Sequence, residues 1–386
     1  MTEYLPYDVL LEILHRLPLK SLIRFSCVSR SWNSLITSPA FINSNLTRSH
    51  SNSNKLIVKY LDVTPHVVDG YELIHEEDND NNDSSSEQIQ ELEFPSSFRC
   101  NFQIVSYVNG LFCLYEQSRY IVWNPCIRKF IALPKPSVTA SFACYLAFGF
   151  DSRTNDYKLV RIVLQSKNIS AKKPLVEVYS VNEGYWRLTS GGDSFPAGVY
   201  ISDWSLSTAV SLNGVVYFAA YYCDVRGSIV LSFDLGDEVF RAISLPKGNF
   251  RFEADIDISV FKGLLSLTCY EYKGERCIGV KCCSVFVMKE CGIVDSWTKL
   301  FTIDLSRQLC RVLGFRKNDH LLVQKKLLLG WELCSYDPES QQGKTLGFCR
   351  SPYYSFADNY VENLFLLDKP NDAVSKRKVS KKRKCM

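Results

Sequence analysis

The sequence lacks any apolar segment that approaches the roughly 18 residues needed to span a bilayer, and its N-terminus has no apolar core of the kind found in signal peptides. Histidine is scarce, with five residues in 386, and none is spaced as part of a metal-ligand cluster. A phosphate-binding glycine loop, a Gly-x-Ser-x-Gly segment and a Ser-His-Asp arrangement are all missing. We therefore expect a non-catalytic protein of the cytoplasm or nucleus, with no membrane segment.

Cysteine is plentiful, but its pattern does not favour disulfides. The 15 cysteines are odd in number and scattered through apolar, strand-like segments, and nothing in the sequence directs export. We expect most of them to be free thiols in the core. The one cluster, Cys277, Cys282, Cys283 and Cys291, lacks paired Cys-x2-Cys spacing and has no nearby histidine. The sequence thus predicts no metal site and no cofactor.

Positive charge is concentrated near one end of the chain. The formal net charge is +4, yet without the seven basic residues of segment 375–384 the balance is 38 basic against 41 acidic residues. We therefore do not expect the body of the chain to bind nucleic acid. Residues 371–386 are predicted to be a disordered basic tail, typical of a nuclear import signal, with a solvated tail without function as the alternative. Its basic residues are Lys376, Arg377, Lys378, Lys381, Lys382, Arg383 and Lys384.

Apolar residues recur at helical spacing over the first 41 residues. Pro6 suits the first turn of a helix, and Asp8 places negative charge beside the positive end of the helix dipole. An apolar face follows until Pro18 stops the helix, and the spacing continues to Pro39. This pattern predicts two or three packed helices. The first face consists of Val9, Leu10, Ile13, Leu14 and Leu17.

This segment, residues 1–48, resembles an F-box of the plant type. The resemblance rests on a Leu-Pro start, a Glu-Ile-Leu triplet, a Leu-Pro-x-Lys-Ser-Leu turn, and then Arg-Phe, Val, Trp and Leu-Ile in order. It implies docking onto a SKP-type adaptor and, through it, onto a cullin of a ubiquitin ligase. The predicted adaptor contacts are Leu5, Pro6, Leu10, Ile13, Leu14, Leu17, Pro18 and Leu22.

Part of the apolar stripe must form the core of the helical module itself. Trp32 and Val28 are better candidates for that core than for adaptor contact. A unit of this size is too small to be very stable alone, so we expect the adaptor to complete its core. The alternative is that the helices simply pack on the rest of the chain.

Beyond residue 54 the pattern changes to strands rich in β-branched and aromatic residues, punctuated by Gly, Asn, Asp and Pro. We assign residues 49–370 to this mainly β domain. Residues 76–91, which are rich in acid and Asn, are predicted to be a disordered loop.

The strands recur in units that open with a Gly-containing entry and end in an aromatic-Asp or aromatic-Asn corner. A weaker start at Lys55 would make six units, at a spacing near the roughly 50 residues of a kelch-type blade. The architecture expected is a β-propeller of about six four-stranded blades, with a pair of β-sandwiches as the alternative. The five clear units are 109–134, 148–188, 213–246, 262–300 and 313–346.

The large domain also resembles the F-box-associated domain of plant F-box/kelch-repeat proteins, over nearly all of 55–367. The corner Asp and Asn side chains are expected to bond neighbouring backbone amides, and the aromatic residues to pack between sheets. The matching motifs are Trp123-Asn124-Pro125, Phe148-Gly149-Phe150-Asp151, Asp156-Tyr157-Lys158, Glu177-Val178-Tyr179-Ser180, Trp186-Arg187, Ser232-Phe233-Asp234 and Ser296-Trp297-Thr298-Lys299.

A propeller must pair its two ends to avoid exposed sheet edges. We expect residues 360–367 to close the ring by completing a blade with strands from the 55–75 region.

The two resemblances together predict a substrate receptor: the helical module holds the ligase, and the propeller holds a protein to be ubiquitinated. A scaffold that does not direct degradation is the alternative. Target contacts are predicted in aromatic segments that do not repeat between blades, although Trp204 and Tyr221 could instead pack between blades. The candidates are Tyr200, Trp204, Tyr221, Tyr222, Arg226, Phe250 and Arg251.

Overall fold

Four helices form the N-terminal module: α1 (Tyr7–Arg16), α2 (Leu19–Phe25), α3 (Arg30–Ile36) and α4 (Pro39–Asn52). The computed structural model describes residues 6–52, 55–62, 68–75, 89–92, 102–116, 118–140, 142–166, 173–202, 209–222, 227–246, 256–272, 280–305, 309–327, 330–346 and 353–367.

The helix boundaries follow from local chemistry. Pro6 and Pro18 stand immediately before α1 and α2, where a missing N–H leaves no hydrogen bond unmade. The Ser29 side chain caps α3 by accepting a hydrogen bond from the Trp32 N–H at 3.2 Å. The prediction of two or three helices omitted α4, which begins at Pro39 and continues four residues past the predicted boundary at 48.

The remaining secondary structure is almost entirely β. The strands are β1 (Lys55–Asp62), β2 (Val68–His75), β3 (Ile89–Glu91), β4 (Gln103–Val108), β5 (Leu111–Glu116), β6 (Arg119–Asn124), β7 (Lys129–Ala132), β8 (Ala143–Asp151), β9 (Asp156–Leu164), β10 (Leu175–Ser180), β11 (Tyr185–Thr189), β12 (Val199–Ile201), β13 (Val210–Leu212), β14 (Val215–Tyr222), β15 (Gly227–Asp234), β16 (Phe240–Ser244), β17 (Ile256–Phe261), β18 (Leu264–Tyr272), β19 (Val280–Met288), β20 (Trp297–Asp304), β21 (Leu309–Phe315), β22 (Leu321–Leu327), β23 (Gly330–Asp337), β24 (Gln342–Thr345) and β25 (Tyr353–Asn359).

These strands form six antiparallel sheets, which confirms the six-bladed propeller. Blade 1 has the order β25-β1-β2-β3, and blades 2, 3, 5 and 6 are the consecutive sets β4–β7, β8–β11, β17–β20 and β21–β24. In blade 4 the innermost strand is split, because β12 and β13 pair with opposite ends of β14. The inner strands surround a central cavity of about 710 Å³.

The ring closes through the C-terminal part of the chain, as predicted, but through a different segment. Strand β25 pairs with β1 from Leu56 opposite Asn359 to Leu61 opposite Tyr353, with one register shift between Lys59 and Tyr60. The prediction that residues 360–367 form the closing strand is wrong. Their apolar side chains are divided between the helical module and the propeller, as described below, rather than alternating across one sheet.

Two further expectations need correction. The predicted disordered loop at 76–91 is wrong for Ile89–Glu91, which form β3 and pair with β2; residues 76–88 lie outside the described ranges. Three of the five sequence repeats are also out of phase with the blades by one strand. The units 109–134, 213–246 and 262–300 begin at the hairpin after the inner strand, where Asn109-Gly110 and Asn213-Gly214 adopt positive φ, whereas 148–188 and 313–346 begin within the inner strands β8 and β21.

The corner motifs have the structural roles predicted for them. Asn124 Oδ1 accepts a hydrogen bond from the Cys126 N–H at 3.0 Å, and Asp234 Oδ1 accepts one from the Gly236 N–H at 2.8 Å. Trp186 Nε1 donates to the Pro134 carbonyl of the preceding blade at 2.8 Å, and Trp297 Nε1 donates to Ser244 at 3.0 Å. The motifs therefore hold turns and join neighbouring blades.

The burial of the cysteines agrees only in part with the prediction. Cys113, Cys269 and Cys334 are buried free thiols in the sheets, as expected, whereas Cys27 and Cys291 are exposed. Burial raises the pKa of the Cys126 thiol to about 12, which makes it a poor nucleophile. Within the described ranges, no three His, Cys, Asp or Glu side chains are arranged to hold a metal ion.

Candidate adaptor and target surfaces

Helix α1 presents apolar side chains to solvent along one side. Val9 is 44% exposed and Ile13 43% exposed, Pro6 lies beside them, and Leu10 and Leu17 are half-buried. We call these five residues the α1 stripe. Large apolar side chains exposed together on one helix face mark a surface that a partner covers. Four of the five, all but Val9, were predicted adaptor contacts.

Two of the predicted adaptor contacts are instead core residues. Leu14 and Leu22 are fully buried and pack with Leu19, Ile36 and Phe41. In this structure neither side chain is available for direct contact, because helical periodicity gives an apolar face but not the neighbours that cover it. Pro18, which stands directly before Leu19 at the start of α2, is exposed, as a residue that contacts the adaptor would be. Leu5 lies outside the described residues.

Of the two residues predicted to belong to the module's own core, only one is packed there. Trp32 is half-buried and packs edge-on against Phe25, with ring centroids 5.2 Å apart, as the core assignment requires. Val28 is 68% exposed, so its assignment to the core is wrong. It follows the last turn of α2, where none of the four described helices covers it.

Charged groups tie α1 to α4 beside the stripe. Glu12 accepts hydrogen bonds from Arg16 at 3.2 Å and Arg48 at 2.9 Å, and the bond from Arg48 holds the pKa of this carboxyl below its usual value. His15 stacks on Phe41 with ring centroids 4.6 Å apart, and its partial burial lowers its pKa. The polar side of α1 is thus engaged within the module, whereas the apolar stripe remains open.

The helical module sits on one face of the propeller. His50 Nε2 lies 3.2 Å from Asn109 Oδ1 at the first hairpin of blade 2, and Asn43 Nδ2 donates to Asn155 Oδ1 at 2.9 Å at the first hairpin of blade 3. Lys317, at the first hairpin of blade 6, donates to the His50 carbonyl at 2.9 Å. The face that carries these hairpins is therefore turned towards the helical module.

The predicted target residues that the structure describes lie at the other end of blade 4. Tyr222 ends β14, whose first residue, Val215, follows the Asn213-Gly214 hairpin. Seven steps at about 3.3 Å per residue place Tyr222 about 23 Å from that hairpin. Tyr200 and Tyr221 are cross-strand partners with stacked rings, 5.7 Å between centroids.

A further tyrosine that sequence reasoning did not find packs against the same core as two of these residues. Tyr200 and Tyr222 pack partly buried against the same core as Tyr145, which lies on the inner strand of blade 3. Tyr145 precedes the Phe148-Gly149-Phe150-Asp151 motif on the same strand and is not part of it, so only the packing between blades 3 and 4 reveals it. Trp204, Arg226, Phe250 and Arg251 lie outside the described residues, as does the basic segment 375–384.

Comparison with known families matches both parts of the chain. Residues 3–44 match the F-box domain, and residues 69–313 match the F-box associated beta propeller domain. The second match covers more than half of the chain. The chain belongs to the family of F-box proteins with an F-box-associated propeller.

Two curated relatives of this F-box protein are proteins of Arabidopsis thaliana. The F-box/kelch-repeat protein At3g23880 is 31% identical, over 78% of this chain and 79% of that protein. The F-box protein CPR1 is 26% identical, over 94% of this chain and 89% of its own length. The similarity therefore extends through both domains. Among the helices that the structure describes, none is long and apolar enough to cross a membrane.

Proposed function

We propose that this F-box protein is the substrate-recognition subunit of an SCF-type ubiquitin ligase. The α1 stripe docks a SKP-type adaptor, which links the chain to a cullin, and the propeller binds the protein to be ubiquitinated. The observation that carries the proposal is the open α1 stripe in a helical module that matches the F-box domain. The chain itself performs no chemistry in this scheme, because bringing the target close to the ligase raises its effective concentration.

The position of the two surfaces supports this division of labour. The helical module covers the propeller face with the first hairpins, and Tyr200, Tyr221 and Tyr222 lie towards the opposite face. A target bound there would not compete with the adaptor for space. Tyrosine is enriched at binding hot spots, because it offers a large rigid contact area with a polar tip.

The adaptor contact is tested with Ile13→Asp. This residue is 43% exposed, so a carboxylate is tolerated in the free chain but becomes unpaired in a dry interface. Adaptor affinity should fall about thirtyfold or more, as for a hot-spot residue. Ile293→Asp is the matched control, because Ile293 is 49% exposed on a propeller loop. Normal pull-down of a SKP-type adaptor by folded Ile13→Asp protein would refute docking through the stripe.

The same variant separates a receptor from a scaffold. If the protein is a receptor, a propeller-bound target should persist longer in cells that carry Ile13→Asp than in cells with the wild-type chain. Unchanged turnover of that target would favour a scaffold that binds without directing degradation.

For localisation, we propose that the protein occurs in the cytoplasm and the nucleus, with the basic residues of segment 371–386 acting as the import signal. Fusion of this segment to a large inert reporter should move the reporter into the nucleus. A reporter that stays in the cytoplasm would show that the segment does not act as an import signal.

A further inference from the structure

Residues 360–367, which follow the closing strand, run between the helical module and the propeller; we call them the strap. Two leucines in alternate positions have different neighbours. Leu364, 1% exposed, belongs to the core cluster of the helical module, beside Leu14 and Leu22. Leu366, fully buried, belongs to the cluster between blades 2 and 3 with Phe148. One short segment thus contributes an apolar side chain to each domain.

Two fully buried asparagines fix the path of the strap. Asn124 Nδ2 donates to the Asn363 carbonyl at 2.9 Å and to the Phe365 carbonyl at 2.8 Å. Asn363 Nδ2 donates to the Asn109 carbonyl at 2.8 Å and lies 3.1 Å from the Tyr157 hydroxyl. Since each buried amide finds its partners, the strap is anchored to blades 2 and 3 in one register.

Contacts on both sides of the strap extend this anchoring. The Glu362 N–H donates to Ser49 Oγ of α4 at 2.9 Å, and Lys129 Nζ of blade 2 donates to the Leu367 carbonyl at 2.7 Å. At the blade 2 hairpin, a Cβ on Gly110 would lie 2.1 Å from the Val361 carbonyl oxygen. The hairpin therefore needs glycine both for its positive φ and for the close approach of the strap.

We infer that the strap completes the core of the F-box, so that the packing of the F-box helices in the free chain depends on the strap. The expectation that the adaptor completes this core is corrected by Leu364, which already fills that place. The two ends of the chain therefore fold together: the helices depend on a residue that follows the last strand of the propeller.

Hydrogen exchange on the full chain without any adaptor tests this inference. Leu364→Ala removes an apolar group from the core cluster that contains Leu14 and Leu22, so we expect amide exchange in α1, α2 and α4 to be at least tenfold faster than in the wild type. Exchange in blade 5, which is remote from the strap, should be unchanged. The matched control is Leu267→Ala, a fully buried residue of blade 5, which should accelerate exchange in that blade and not in the helices.

Wild-type exchange in the helices of Leu364→Ala would overturn the inference, as would equal loosening of the helices by Leu267→Ala. If Leu364→Ala is insoluble, Leu364→Val trims the same contact and should give a smaller acceleration, about threefold, confined to the helices. Because no adaptor is present in these measurements, their outcome is independent of the proposed function, and loss of adaptor binding by Ile13→Asp does not depend on them.

Discussion

The propeller and the helical module bury their apolar residues in different ways. All nine residues of β9 are buried, because each middle strand of a blade is covered by neighbouring blades on both faces. In α1, Leu14 is the one buried residue of ten. The propeller thus buries its apolar residues between its own blades, whereas the helical module takes part of its core from the strap and leaves the α1 stripe open. Surface that a small domain cannot bury alone becomes available for other parts of the chain and for partners.

The strap also connects this difference to function. In the proposed function, a receptor must hold its target at a distance that lets the ligase reach it, and a helical module that moved freely relative to the propeller would weaken that control. Anchoring through Asn124, Asn363 and Leu364 gives the two domains a fixed relation in the free chain. The predictions that follow test the dependence of the two domains on each other, beginning with the largest expected effect.

Removing the end of the chain should affect both domains at once. Truncation after Arg350 deletes β25 and the strap, which exposes the edge of β1 and uncovers the core of the F-box. We expect insoluble protein. Truncation after Asp368 keeps both elements and should leave the melting temperature nearly unchanged. Equal solubility and melting of the two truncated proteins would refute closure through β25.

Loss of one buried asparagine should weaken the link between the domains. Asn124→Ala removes both hydrogen bonds to the strap, leaves the carbonyls of Asn363 and Phe365 without that donor, and also removes the turn bond from the Cys126 N–H. We expect a loss of about 2–4 kcal/mol in the free energy of unfolding.

Asn43→Ala is the matched control for this change, because Asn43 is exposed and makes its bond to Asn155 at the surface. It should cost less than about 0.5 kcal/mol. Chemical denaturation of both variants measures the difference. Equal losses would mean that burial of the Asn124 amide contributes nothing to the link.

How far the sequence predicts this molecule depends on whether a feature is local. The blades were predictable because each repeats its own turn chemistry, as at Asn109-Gly110 and Asp234. The exposed side of α1 was partly predictable, since Ile13 and Leu17 lie on one helical face. The full burial of Leu14 was not, because its core cluster also includes Leu364, which lies about 350 residues away in sequence. The apolar residues of the strap do not follow the period of one buried face, because its leucines pack in two different cores.

A buried carboxyl group at the central cavity should make the free energy of unfolding of the propeller depend on pH. Asp358 faces this cavity, and burial raises the pKa of its carboxyl from 3.8 to about 6. At neutral pH the charged form is disfavoured in the folded state, so Asp358→Asn should stabilise the protein, by at most about 3 kcal/mol. Below about pH 6 the folded state binds the proton first, and wild-type stability gains on the variant as the pH falls towards 4.

Denaturation of both proteins between pH 7.5 and pH 4.5 measures this difference. The advantage of Asp358→Asn should shrink steadily over that range. Asp193→Asn, on an exposed side chain, controls for the change in net charge. A constant difference at every pH would contradict a raised pKa for Asp358.

The smallest effect on stability is expected at the target face, where a change should alter binding and little else. Tyr222 is half-buried at the end of β14, and Arg226 follows it in sequence. The double change Tyr222→Ala with Arg226→Ala should weaken capture of the target about tenfold or more, because Tyr and Arg carry much of the energy at protein interfaces. The melting temperature should fall by no more than about 2 °C, and adaptor binding should stay normal.

Tyr185→Ala, on an outer strand and 52% exposed, is the matched control and should leave capture unchanged. A large loss of stability would show that these residues belong to the core between blades, and normal capture would place the target elsewhere on the propeller.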